Sequence, residues 1–242
     1  MGNFKIPIYQ NGKVTLKTAG KYCDRDIDVR VNVSSGTEDD MSGFWDAYQN
    51  NGERTDYNYA FAYSKGWDNN ALKPKYDLTP GLADYMFAGS PFTGDLARHF
   101  DDLGIGFNLS GAFSTAYMFS GAFYITRLGT LDLSAVGQPT TDMFSGCFAL
   151  ETIDKLIMSE FVNLSFNSCS ALKNITIEGT ISANYQYFAD STELTHDSLM
   201  SIINALEAKT SGAWSITLGS ENKAKLTTEE LAIAQNKGWT VN

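Results

Sequence analysis

The stretch MFSGAFYITRL runs from Met118 to Leu128, and MFSGCFALETI runs from Met143 to Ile153. Nearly the same eleven residues are written twice, 25 positions apart. A third copy, FNSCSALKNI, occupies Phe166 to Ile175, and a shortened fourth, FADSTEL, opens at Phe188. Tyr85-Met86-Phe87 begins a degenerate earlier copy. Within a copy the register is Phe, a small residue at +3, and aliphatics at +6 and +9. The instances are Phe119/Ala122/Ile125/Leu128, Phe144/Cys147/Leu150/Ile153 and Phe166/Cys169/Leu172/Ile175.

A period in the range of about 20–50 residues is the signature of a stacked-repeat architecture. One copy cannot bury its own apolar side, so equivalent residues of successive copies must lie over one another. The register therefore predicts an α/β, β-rich repeat solenoid over residues 85–194. Its core column is Phe87, Phe119, Phe144, Phe166 and Phe188. Cys147 and Cys169 share one small rung with Ala122 and Ser191, as buried small hydrophobes. A paired redox thiol is the competing reading for them. With Cys23 they make three cysteines in no metal-binding or disulfide spacing. Short strand-like runs accompany the copies at Thr130–Leu133, Lys155–Met158 and Asn174–Glu178. An earlier alternation lies at Gly104–Leu109, with Ile105, Phe107 and Leu109 on one face.

The spacing AF-x-x-C-x-x-L-x-x-I resembles the BspA-like leucine-rich repeats of bacterial surface proteins and of their relatives in phages of gut bacteria. Phe144–Ile153 and Phe166–Ile175 carry the resemblance most closely, and it covers roughly residues 85–195. It implies a right-handed leucine-rich-repeat solenoid used for binding, with no catalytic residues. Phe87 and Phe188 depart from the consensus, as terminal copies do.

Flanking segments read differently. Residues 195–242 predict a helical α/β cap. Thr195 is an N-cap before Leu199, Ile202, Ile203 and Leu206; Ala213–Leu218 is a strand; Thr227 and Glu230 form a capping box; Gly238 stops the last helix before a strand at Trp239–Val241. Such a cap resembles those that follow these repeats in phage-derived proteins. Residues 1–33 predict a small β module, with a strand at Val14–Leu16 and alternation at Ile27, Val29, Val31 and Val33. So small a module must dock on something, which makes it a candidate tether or homo-oligomerisation element. It resembles short β modules of tail-associated phage proteins. Residues 34–40 read as a polar linker.

Residues 41–84 form an aromatic-rich N-terminal cap: Phe44 to Tyr76 holds nine rings in 33 residues. In Asp56-Tyr-Asn-Tyr-Ala-Phe-Ala-Tyr63 the rings alternate, so a strand would present all four on one face. Those rings either seal the first coil or make a sugar platform. The candidate ligand-binding residues are Tyr57, Tyr59, Tyr63 and Trp67, edged by Glu53, Arg54, Asp56 and Asn58.

Chemistry is sparsely signalled. His99 lies in Arg98-His-Phe-Asp-Asp102, where Asp101 and Asp102 are an acid–base pair in principle and a solvated turn in the plainer reading. His196 reads as a first-turn helix residue, and Glu38-Asp-Asp40 as a solvated charge run. No HExxH, GxSxG, phosphate-loop, dinucleotide or EF-hand pattern occurs. No cofactor or metal is expected.

The net charge of −10 opposes phosphate backbones and anionic membrane surfaces, so nucleic acid is not an expected partner. No apolar run approaches the roughly 18 residues of a membrane span. Residues 1–13 lack a signal-peptide core, and Ile6 replaces the Ser or Thr of a myristoylation signal.

The expectation is therefore a non-enzymatic binding protein of a virion, tail-associated, engaging a protein or cell-surface glycan without its own signal peptide. A bacterial surface adhesin and a cytoplasmic protein-interaction module, such as a phage factor binding a host protein, are the alternatives.

Overall fold

In the computed structural model the described residues are 48–62, 69 and 72–242. The expected β module (1–33) and linker (34–40), together with Cys23, Tyr63 and Trp67, lie outside them.

Rings make the central column. Phe61, Phe87, Phe119, Phe144, Phe166 and Phe188 follow one another at centroid distances of 4.9, 5.5, 5.9, 4.8 and 5.2 Å, and all six are buried. The two central steps are almost parallel, at 5° and 2°. Met86, Met118 and Met143, each just before its Phe, are also buried. The small position behaves as the register requires: Ala122, Cys147, Cys169 and Ser191 are all buried.

Each cysteine thiol donates to the carbonyl of the preceding copy's Phe, Cys147 to Phe119 at 3.1 Å and Cys169 to Phe144 at 3.0 Å. The hydrogen-bonded neighbour Cys169 and burial both push the Cys147 thiol well above its ordinary range. A thiolate is the reactive form. Native alkylation followed by peptide mapping is thus expected to leave Cys147 and Cys169 unmodified, and denaturant to expose both. Modification of either in the native protein would contradict this packing.

Beside the column runs a four-stranded, all-parallel sheet in the order β1 (Gly94–Asp95), β2 (Ile125–Asp132), β3 (Thr152–Ile157) and β4 (Asn174–Glu178). Its register places Leu128, Ile153 and Ile175 in one row and Leu131, Leu156 and Ile177 in the next. The first row points at the core because it is the +9 position of the three central copies, and the second continues the same face two or three residues on.

Two expectations need correction. Gly104–Leu109 is not a strand; Phe107 makes one isolated bridge to Leu78. The Arg98–Asp102 segment is not a turn but lies within helix α1 (Leu96–Leu103). Asp95 caps α1 by accepting from the Arg98 amide, and Gly104 ends it with φ +66°. Leu96 and Phe100, one helical turn apart, are buried.

The C-terminal segment closes the other end. Helix α2 (His196–Ala205) starts at Thr195, whose side chain accepts from the Ser198 amide. Ser198 and Ser201, one turn apart, accept the amides of Ile175 and Ile177 at 3.0 and 2.8 Å. The exposed edge of β4 is thereby closed by two hydroxyls, and no further strand can add there.

A second parallel sheet has the order β5 (Gln186–Tyr187), β6 (Trp214–Thr217) and β7 (Trp239–Val241). Helix α3 (Gly219–Lys223), absent from the sequence expectation, carries the buried Asn222. Its amide donates to the carbonyls of Phe188, Ser191 and Leu218. Helix α4 (Thr228–Asn236) has the full Thr227/Glu230 capping box.

Candidate functional site

Just before its column Phe, each early copy makes a tight turn whose alternate amides bond the next copy. Tyr57, Tyr59 and Phe61 donate to the carbonyls of Leu82, Asp84 and Met86. Tyr85, Phe87 and Gly89 donate to Ala116, Met118 and Ser120, and Tyr117, Phe119 and Gly121 to Thr141, Met143 and Ser145. Copies are held in register by these bonds, so equivalent side chains superpose.

The result is a tyrosine ladder. Tyr59 and Tyr85 stack at 4.6 Å and 6°, and Tyr85 and Tyr117 at 4.7 Å and 11°. Tyr59 is 56% exposed, and the other two are half-buried because their faces cover one another. All three take a left-handed backbone, with φ of 58°, 57° and 56°. That conformation is uncommon for a bulky residue and costs on the order of 1–3 kcal/mol. The same position of the next copy is Asp142, also left-handed.

Beside the ladder, Asn58 Oδ1 accepts the Asp84 amide at 2.7 Å. Asp84 Oδ1 accepts the Ala116 amide at 2.8 Å and the Ser114 hydroxyl at 2.5 Å.

Of the four sequence-selected ligand residues, Tyr59 stands in the ladder, while Tyr63 and Trp67 lie outside the described residues. Tyr57 is a correction. It is 1% exposed, packed edge-on against Tyr48 at 6.4 Å, with the Arg54 guanidinium 4.3 Å over the Tyr48 ring. Residues 58–62 form turns instead of a strand, after one isolated bridge at Asp56, so Tyr57 and Phe61 are buried and Tyr59 is exposed. Among the proposed edge groups, Asp56 accepts from the Asn58 amide and Glu53 from the Asn50 side chain.

The titratable groups weighed for chemistry are structurally engaged. His99 Nε2 sits 2.5 Å from the Leu72 carbonyl, with its ring edge-on to Phe92. Asp102 pairs with Arg98 on the exposed side of α1. His196 reaches Glu230 at 2.9 Å, tying α2 to the cap of α4. Among the described residues no three His, Cys, Asp or Glu side chains are grouped to hold a metal, and no helix is long and apolar enough to cross a membrane.

Sequence reasoning missed a second aromatic surface. Phe123, Tyr124 and Phe148 are 45%, 56% and 51% exposed. Phe123 stacks on Phe148 at 5.6 Å and meets Tyr124 edge-on at 6.3 Å. Phe123 and Phe148 both stand four residues after a column Phe, so the repeat itself carried the signal.

Among the described residues three carboxylates have their pKa lowered. Burial raises that of Asp95, but hydrogen bonds from the Arg98 amide and Arg127 outweigh it; Glu207 is lowered by Lys209, and Glu230 by the Thr227 amide. A lowered carboxyl contributes stability above its ordinary value, and that contribution is lost as pH falls through the folded value. The melting temperature is therefore expected to drop as pH falls from about 4.5, near the ordinary carboxyl range. Asp95→Asn should flatten part of that limb. A melting temperature unchanged down to about pH 3 would contradict these contacts.

Comparison with protein-family models, with curated proteins and with solved structures found no match to the chain.

Proposed function

We propose that this chain is a non-enzymatic binding protein, a repeat solenoid of the BspA-like leucine-rich kind. Its tyrosine ladder engages a protein or glycan on a cell surface. The setting we infer is a tail-associated phage protein concerned with host recognition, in line with the resemblance of residues 1–33 to short β modules of such proteins.

The observation that carries the reading is the recurrence of Tyr59, Tyr85 and Tyr117 in the same costly left-handed turn. A glycine or asparagine at those positions relieves the strain. Retaining three amphipathic rings there supports their use as a contact surface. Tyrosine is enriched at binding hot spots because it offers large area and a hydroxyl at low entropic cost. The rings cover one another's faces, so a partner meets their outer edges.

The test is binding of labelled full-length protein to intact gut-type bacterial cells. Saturable binding is expected. A Tyr85→Ala/Tyr117→Ala variant with an unchanged circular dichroism spectrum should lose about tenfold or more in affinity, since hot-spot truncations cost about 2 kcal/mol or more. Undiminished binding by that variant, or no cell binding by the parent, would overturn the reading.

A further inference from the structure

A cleft of about 340 Å³ opens between α1 and β2. It shares no residue with the tyrosine ladder. At Gly129 a Cβ would come within 3.1 Å of the Ala97 Cβ, so the bare backbone there lets α1 lie close over β2. Phe100 and Phe107, 5.5 Å apart, provide apolar wall.

The polar groups at its rim are arranged with both signs of hydrogen bonding. Arg127 spends three donors on carboxylates: Nε and Nη2 on the two oxygens of Asp154, and Nη1 on Asp95 at 2.9 Å. A guanidinium has five N–H groups, so two remain to donate. Asp154 is charge-paired by its two-point contact with Arg127 and keeps a free lone pair on each oxygen. Asp101, also lining the cleft, supplies an acceptor, and Thr130 supplies a hydroxyl that does both.

We infer that this cleft is a subsite for one neutral, polyhydroxylated ring, that is, a hexose unit. Each sugar hydroxyl donates and accepts at once, which matches fixed donors on Arg127 beside an acceptor on Asp101. The apolar C–H face of such a ring suits the wall formed by Phe107. Two lining carboxylates, Asp101 and Asp154, against one guanidinium leave the cleft net negative, which opposes an anion. Arg127 offsets one of those two charges, and Asp101 alone makes a poor site for a simple cation. The volume lies within the range of small-molecule sites, about 300–1,000 Å³.

The experiment is NMR titration of the full chain with neutral methyl hexosides and N-acetylhexosaminides, with glucuronate and glucosamine as charged controls. Perturbation of resonances from α1 and β2 by a neutral glycoside is expected. Asp101→Ala, on the exposed side of the helix, should weaken that binding about tenfold, the loss of one hydrogen bond to a charged group. The Tyr85→Ala/Tyr117→Ala variant should retain it, which separates this subsite from the ladder. The inference is overturned if no neutral glycoside perturbs the cleft, if either charged sugar binds more tightly, or if Asp101→Ala binds as the parent does.

Discussion

Phe144→Ala is expected to destabilise the protein by about 3–5 kcal/mol, the range for truncating a buried aromatic. The ring is fully buried between Phe119 at 5.9 Å and Phe166 at 4.8 Å, almost parallel to both. Its removal loses transfer free energy, leaves a cavity the flanking rings cannot fill, and breaks two ring pairs worth about 0.5–1.5 kcal/mol each beyond area. The comparison that isolates the column is Phe148→Ala, four residues away and half-exposed. That change is expected to cost about 1 kcal/mol or less, as substitutions outside a core do. Urea unfolding followed by fluorescence reads both. Equal, small losses would show that Phe144 is no part of a packed column.

The second large effect is at the sheet edge. Ser198→Ala with Ser201→Ala removes the acceptors for the Ile175 and Ile177 amides. An unsatisfied buried donor costs about 1–3 kcal/mol, so the double variant should lose about 2–6 kcal/mol. Ile175 is 2% exposed and falls at the high end of that range; Ile177 is partly exposed and falls lower. Hydrogen exchange provides a site-resolved check, with protection of those two amides expected to collapse first. The unpaired strand edge should also promote self-association. A double variant with parental stability and protection would mean that β4 is closed by something else.

The Phe column was legible because repetition exposes it: the same residue at the same place in five copies marks a single stacked position. Its sixth member was not. Around Phe61 the alternation of rings imitates a strand, and nothing in the identity of Tyr59 declares that it takes a left-handed backbone that turns its ring outward. The ladder was hidden for the same reason, although Tyr85 and Tyr117 both stand two residues before a column Phe. Thr195 and the Thr227/Glu230 box were readable because capping is local. Helix α1 carried comparable signals in Asp95, the Leu96–Phe100 spacing and Gly104, outweighed by the alternation just after it. Edge closure by Ser198 and Ser201 joins residues 23 and 24 positions apart and has no sequence pattern. The ion-paired row beside the cleft, Asp95–Arg127–Asp154, spans three strands and is set only by their register.

Ladder and cleft alike depend on consecutive copies lying directly over one another. The most direct measurement is a pair of double-mutant cycles in urea unfolding, using Phe→Leu changes to limit disruption. Phe119 and Phe144, adjacent in the column, should couple by about 0.5–1.5 kcal/mol. Phe87 and Phe188, separated by three rings of the column, should be additive within about 0.5 kcal/mol. Additivity at the adjacent pair, or equal coupling at the distant one, would contradict the stacked column.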